Sequence, residues 1–201
     1  QLEHGWIGQK LILANFISSP TVVVRRDIFE KVGYFNESAV LRCREDWDQW
    51  LRIAARFPIS LIPEVLARYR EHEANATRNE RPAKVRRSVF SAIKNAVEFA
   101  PEIYESSKFP AFSAMCLILG TAQIRLGNFS GARVFLRKAF KFAPDLRLMV
   151  WFLLSIGGPY ALQLKEIIDK KFRLLSGDHG FQKASLFSRT VHADVSECHA
   201  K

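Results

Sequence analysis

Cysteine is scarce in this sequence. Cys43, Cys116 and Cys198 form no close pair, so their spacing suggests neither a disulfide framework nor a zinc site. This usage favours a reducing, cytoplasmic setting. The first residues show no secretory signal, although a signal would be hidden if the sequence is part of a longer protein.

Long hydrophobic runs are also scarce. The most apolar stretch, Leu148 to Leu162, is too short to span a bilayer and is interrupted by Gly157, Gly158 and Pro159. We expect a buried helix here. The alternative is a peripheral contact at the inner face of the cell membrane, because the neighbouring residues 165–173 are basic and could meet anionic lipid.

Acidic residues are the minority charge. The 30 Lys and Arg residues outnumber the 20 Asp and Glu residues and give a net charge of +10. This excess favours anionic partners, namely nucleotide diphosphates, acidic lipid headgroups or nucleic acid, and charge alone does not choose among them. We disfavour nucleic acid, because the basic cluster lacks the pattern of an RNA-recognition sheet or a zinc finger and fits a solvated helix entrance: Arg78, Arg81, Lys84, Arg86 and Arg87.

The most informative stretch is the acidic, aromatic-rich segment Glu45 to Arg52. Its apolar residues recur at helical spacing and predict an amphipathic helix, with an Asp48–Arg52 pair across one turn. Glu45 and Asp46 would lie over the positive end of the helix macrodipole, where acids stabilise a helix whether or not they do chemistry. The apolar face of this helix consists of Trp47, Trp50, Leu51 and Ala54.

Two further segments accompany this helix in order along the chain. Residues 15–37 read NFISSPTVVVRRDIFEKVGYFNE, and residues 62–75 read IPEVLARYREHEAN. With the acidic helix between them, the series resembles the C-terminal half of the catalytic domain of family-two glycosyltransferases, inverting enzymes with a GT-A type fold that use nucleotide sugars. The resemblance covers about residues 10 to 80, well under half of the chain.

The resemblance implies a general base. An acceptor hydroxyl is a poor nucleophile at neutral pH, so a carboxylate within hydrogen-bond reach would take its proton as it attacks the anomeric carbon. Asp46 would be this base and Glu45 would orient it. Trp47 or Trp50 could line the acceptor pocket, although their place on the apolar face of the helix also fits core positions.

The resemblance also implies a divalent cation, Mn or Mg, to neutralise the leaving nucleoside diphosphate. His72 matches the position that would reach the metal or the diphosphate, and Arg68 and Arg70 could assist. The alternative for His72 is a solvated loop histidine beside a polar, Asn-rich stretch.

An Asp-x-Asp metal motif after a strand is missing. The letters occur at Asp46 to Asp48, but inside the predicted helix, and the sequence begins at Gln1 without an initiator Met. We therefore expect the C-terminal portion of a longer protein or a truncated gene product, which by itself would transfer no sugar.

The second half predicts helices separated by Pro or Gly. Small and turn residues fall where a tetratricopeptide-like helix pair places them, namely Leu119, Gly120, Gly127, Ala132, Ala139 and Pro144. The predicted helices lie near 83–99, 110–126, 130–142, 145–156 and 160–175. From residue 176 onward periodicity fades and we expect a mobile tail.

The predicted fold class is α/β followed by all-α. Residues 1–80 would be the acceptor-side part of the transferase domain, 81–175 the helical region and 176–201 the tail. Strands are expected at Thr21 to Arg25 and near Ile59 to Tyr69, and helices at Asp27 to Val32 and Asp46 to Arg56.

Two functions remain open. One is part of an inverting glycosyltransferase that moves a sugar from a nucleotide-sugar donor to a carbohydrate or lipid-linked acceptor in cell-surface polysaccharide synthesis. The other is a non-catalytic module whose helical region binds a protein or a membrane, with the first part as scaffold.

Overall fold

The structure is a computed structural model that describes residues 4–70, 72, 82–145 and 148–160. Its helices are α1 (Gly8–Leu11), α2 (Arg26–Val32), α3 (Glu45–Arg56), α4 (Pro82–Phe99), α5 (Pro101–Tyr104), α6 (Lys108–Arg125), α7 (Phe129–Phe142) and α8 (148–160). Short 3-10 turns cover Ser19–Thr21, Ala39–Leu41 and Glu105–Ser107.

The predicted α/β class is wrong, because the described residues are helical and contain no strand or sheet. The segment expected as the first strand has extended backbone at Val22 and Arg25 but no neighbouring strand. In the segment expected as the second strand, Ile59 makes an isolated antiparallel bridge with Gly5, with N···O distances of 2.7 and 2.8 Å. Extended residues become a sheet only when a neighbouring strand takes up their backbone hydrogen bonds, and a local sequence pattern does not supply that neighbour.

The resemblance to family-two glycosyltransferases is not supported either, because the expected strands are absent from the described residues. A GT-A type fold is built on a sheet, and the described ranges hold none. Three ordered sequence segments were therefore not enough to establish the fold, since each of them is also compatible with helices and loops.

The helix predictions are confirmed where the chain is described. The segments expected near 27–32, 46–56, 83–99, 110–126 and 130–142 are α2, α3, α4, α6 and α7, with ends that differ by at most two residues. The segment expected at 145–156 overlaps α8, which begins at 148 and runs on to 160. Most of the helix expected at 160–175 and all of the tail lie outside the described residues.

The helix α3 forms because one of its faces is apolar along its whole length. Trp47, Trp50, Leu51 and Ala54 are all buried, as their spacing predicts. They belong to a hydrophobic cluster that continues from Ile7 to Leu119 in α6, so the early helices and the helical region share a core.

A close-packed hairpin joins α6 to α7. The turn is a Schellman motif: Gly127, with φ of 71°, donates to Ile124, and Asn128 donates to Gln123. Gly120 lets the helices approach, since a Cβ there would lie 3.0 Å from Leu136 Cγ. The small residues singled out in the sequence thus form the expected helix pair.

The described residues up to Ile156 belong to one compact unit, and residues 157–160 belong to a second unit. The domain boundaries expected near residues 80 and 175 stay predictions. In the described ranges, no helix has the length and apolar character needed to cross a bilayer.

Candidate functional site

The two acids at the start of α3 accept hydrogen bonds from nearby donors. Glu45 Oε2 accepts from the backbone N–H of Arg44 at 2.9 Å, and Asp46 Oδ1 accepts from that of Trp47 at 2.6 Å. Asp46 Oδ2 accepts from the Ser19 hydroxyl at 2.5 Å. These contacts are typical of acids that stabilise a helix N-terminus, where backbone N–H groups lack partners and the macrodipole is positive.

Asp46 is half-buried, and each of its carboxylate oxygens has a donor. Neither it nor Glu45 lines the cavity around residues 58–63 or the groove described below. The catalytic roles of Asp46 and Glu45 stay predictions, while the geometry accounts for both residues as helix-start acids.

Asp48 is the acid of this helix that is buried, with 3% of its surface exposed. Its Oδ2 lies 3.1 Å from Arg52 Nη2, and its Oδ1 accepts from Asn95 Nδ2 in α4 at 2.9 Å. The predicted Asp48–Arg52 pair is confirmed, but its burial was not foreseen.

The pair is the centre of a polar network that fastens α3 to its neighbours. Arg52 donates to the carbonyl oxygens of Val32 and Tyr34 at 2.6 and 2.9 Å, and Gln49 donates to that of Gly33 at 2.9 Å. Because these donors and acceptors are matched inside the protein, the network is structural rather than a free site.

Both predicted acceptor-pocket tryptophans lie in the core. Trp47 is 1% exposed and its Nε1 donates to the Leu11 carbonyl oxygen at 2.9 Å. Trp50 is 5% exposed, packs edge-on against Phe35 at 5.8 Å, and its Nε1 has no hydrogen-bond partner among the described residues. Their role in substrate binding stays a prediction.

The residues predicted to handle the metal and the diphosphate are on the surface. Arg68, Arg70 and His72 are exposed. In the part of the chain that the structure describes, no group of three or more His, Cys, Asp or Glu is arranged to hold a metal ion. The site for Mn or Mg and the role of these three residues stay predictions.

A different site lies in the helical region. A cavity of about 530 Å³ opens between α4, α6 and α7, and we call it the basic groove. This volume falls in the range of small-molecule sites. Its lining residues are Arg86, Arg87, Phe90, Cys116, Phe135, Lys138, Lys141 and Phe142.

The walls of the basic groove are held by aromatic packing and one hydroxyl. Phe90 of α4 stacks on Phe112 of α6 with ring centroids 4.6 Å apart, and Phe142 of α7 lies 5.5 Å from Phe112. The buried Ser113 hydroxyl donates to the Ala139 carbonyl oxygen at 2.9 Å and so ties α6 to α7. The lining is therefore built on rigid helices.

Cys116 is the buried side chain of the groove lining, with 1% exposed. Burial raises the pKa of its thiol above the usual value, and the nearby charges of Lys138 and Arg86 partly oppose this rise. The thiol is therefore mostly protonated at neutral pH, and its pKa depends on the charges of the groove cations.

The cations of the basic groove have no anionic partner among the described residues. Arg86, Arg87, Lys138 and Lys141 are exposed, and no described residue forms an ion pair or hydrogen bond with any of their side chains. Five ion pairs elsewhere on the described surface show the contrast: Arg25–Asp27, Lys31–Asp27, Arg56–Glu102, Lys94–Glu98 and Lys108–Glu105. Other exposed cations, such as Arg26 and Arg125, have no ion pair among the described residues.

The helix α8 has an exposed apolar face, which we call the apolar stripe. It consists of Met149, Val150, Leu153 and Ile156, which are 48%, 47%, 58% and 60% exposed. Leu148, by contrast, is buried against Cys116 and Ala139. The helix thus anchors one residue in the core beside the groove and leaves four apolar side chains in water.

Sequence reasoning noticed Arg86 and Arg87 but assigned them to a solvated helix entrance. It missed Lys138 and Lys141, whose spacing from Phe135 and Phe142 places all four within two turns of one helix. That spacing was a usable signal, but only tertiary packing brings α4 opposite α7.

Comparison with protein-family models, with curated proteins and with solved structures finds no match to this sequence. Neither the glycosyltransferase nor the tetratricopeptide resemblance thus receives support from known relatives.

Proposed function

We propose that this chain is a non-catalytic, peripheral membrane-interaction module. Its helical region binds an anionic lipid surface, and residues 4–70 act as scaffold. The observation that carries this proposal is the apolar stripe, because four apolar side chains at i, i+1, i+4 and i+7 on one helix are left in water.

The apolar stripe alone would bind a bilayer weakly. Fully burying a side chain of this type is worth about 1.5–3 kcal/mol, and each one is already about half buried, so the four contribute on the order of 4 kcal/mol. A free energy of about 4 kcal/mol corresponds to a dissociation constant near 1 mM.

Charge supplies the remaining affinity. A Lys or Arg close to an anionic membrane contributes about 1 kcal/mol, and the four unpaired cations of the basic groove would add on the order of 4 kcal/mol. A membrane contact that used both surfaces would have a dissociation constant of about 1 μM, so the proposal requires anionic rather than neutral lipid.

Cosedimentation of the full chain with vesicles tests this proposal. We expect binding to vesicles that contain phosphatidylglycerol, weak binding to phosphatidylcholine alone, and loss of binding as the salt is raised toward 1 M, where the Debye length shrinks to about 3 Å.

The stripe variant is Leu153→Gln with Ile156→Gln. Its matched control is Leu126→Gln with Val134→Gln, which removes two apolar side chains that are 67% and 53% exposed and lie outside the stripe. We expect the stripe variant alone to bind vesicles more weakly, by about 2 kcal/mol or about thirtyfold. Equal losses in both variants, or no binding to anionic vesicles at low salt, would exclude the proposal and favour an acidic protein partner.

A further inference from the structure

We infer that the basic groove is a binding site for one anionic amphiphile, with a phosphate group on the cations and a hydrocarbon chain on the phenylalanines. This inference rests on the proposed function and deepens it, since a lipid monomer of the same surface would be the ligand. It is carried by the lining of the groove rather than by the apolar stripe.

The charge of the basic groove favours an anionic ligand. Four cations converge on one cavity whose lining contains no Asp or Glu among the described residues. Neighbouring like charges on a helix, such as Lys138 and Lys141, destabilise it by a few tenths of a kcal/mol, roughly 0.2–0.5. A phosphate between them would relieve this repulsion and accept hydrogen bonds from the guanidinium groups of Arg86 and Arg87.

The apolar part of the lining favours a ligand that also carries a hydrocarbon chain. Phe90, Phe135 and Phe142 are half-buried, so each still offers hydrocarbon surface to the groove. The thiol of Cys116 lies beneath this surface and is 1% exposed. A phosphate ion would use the cations but leave this surface wet, whereas an amphiphile would cover both.

The packing of the phenylalanine rings favours an alkyl chain over a nucleobase. Base recognition by stacking needs an open aromatic face. One face of Phe90 is covered by Phe112 at 4.6 Å, and Phe142 is surrounded by the rings of Phe90, Phe109 and Phe112 at 5.5–6.3 Å. A flexible chain needs only apolar contact and fits the remaining edges.

Protection of Cys116 from alkylation tests the inference. The full chain with Cys43→Ser and Cys198→Ser keeps Cys116 as its single thiol. Its rate of reaction with iodoacetamide is measured with octyl phosphate below its micelle concentration, with inorganic phosphate and with the uncharged octyl glucoside. Octyl phosphate at about ten times its dissociation constant should slow the reaction about elevenfold, and calorimetry should show one site.

Charge reversal ties the effect to the groove. Lys138→Glu with Lys141→Glu should abolish protection, while Arg26→Glu with Arg125→Glu, the same change in net charge at exposed positions outside the groove, should retain it. Circular dichroism confirms that each variant is folded, and the milder Lys138→Gln with Lys141→Gln should give an intermediate loss.

Each other outcome overturns the inference. Equal protection by inorganic phosphate would mean an anion site without an apolar part, and equal protection by octyl glucoside would mean an apolar pocket without charge selection. Stronger protection by adenosine monophosphate would mean a nucleotide site. No protection by octyl phosphate, with vesicle binding intact, would remove the groove ligand and leave the membrane proposal standing, whereas loss of vesicle binding would remove the proposed function itself.

Discussion

The acidic network of α3 and the basic groove of α4, α6 and α7 handle charge in opposite ways. In the network, Asp48 and Arg52 are mostly buried, and their polar atoms are matched by side chains and carbonyl oxygens of the protein. In the groove, the four cations are exposed and unmatched. Matched polar groups hold a fold together, whereas unmatched charges on a rigid concave surface are available to a ligand.

The largest effect is expected in the polar network of α3, where donors and acceptors are matched. Asp48→Ala removes one partner of a buried pair and leaves Arg52 uncompensated, which should lower the free energy of unfolding by about 3–5 kcal/mol. Denaturant titration measures it.

The control for this change is an exposed pair. Glu102→Ala removes the partner of Arg56, where both side chains are about half exposed, and should cost less than about 1 kcal/mol. Equal losses at the two positions would show that the network contributes no more than a surface ion pair.

The next largest effect is expected in the basic groove, where the cations are unmatched among the described residues. Lys138→Gln with Lys141→Gln should weaken binding to anionic vesicles by about 2 kcal/mol, or about thirtyfold. Because repulsion is relieved, the free energy of unfolding should stay the same or rise slightly. A variant that lost stability together with binding would indicate that these lysines are structural.

A smaller effect is expected at a second matched group. The Tyr104 hydroxyl is fully buried and donates to the Leu51 carbonyl oxygen at 2.6 Å, and burial raises the pKa of this phenol far above its usual value. Tyr104→Phe should cost about 1 kcal/mol of stability. Tyr34→Phe, at a 63% exposed ring, is the control and should change the unfolding free energy by less than about 0.5 kcal/mol.

The smallest effect is a shift in a pH profile. Because burial raises the pKa of Cys116, its alkylation should accelerate only at a higher pH than that of a free thiol, since the thiolate is the nucleophile. Lys138 and Arg86 lower this pKa, so Lys138→Gln with Arg86→Gln should move the profile to still higher pH. A shift to lower pH would contradict the placement of these charges beside the thiol.

Local patterns in the sequence determined the helices and their buried faces. The spacing of Trp47, Trp50 and Leu51 was enough to predict α3 and its core side, because a helix repeats every 3.6 residues whatever surrounds it. The turn at Gly127 could equally be predicted from the sequence, since a positive φ favours glycine.

Tertiary structure alone decided the rest. The segment from Thr21 to Arg25 was predicted as a strand, but strands depend on distant partners, and none is present in the described ranges. Nor could local reasoning tell that Asp48 would be buried and Asp46 would not, or that Arg86 would face Lys138 across a groove. These facts arise between elements far apart in the chain, where packing rather than periodicity sets which charges find partners.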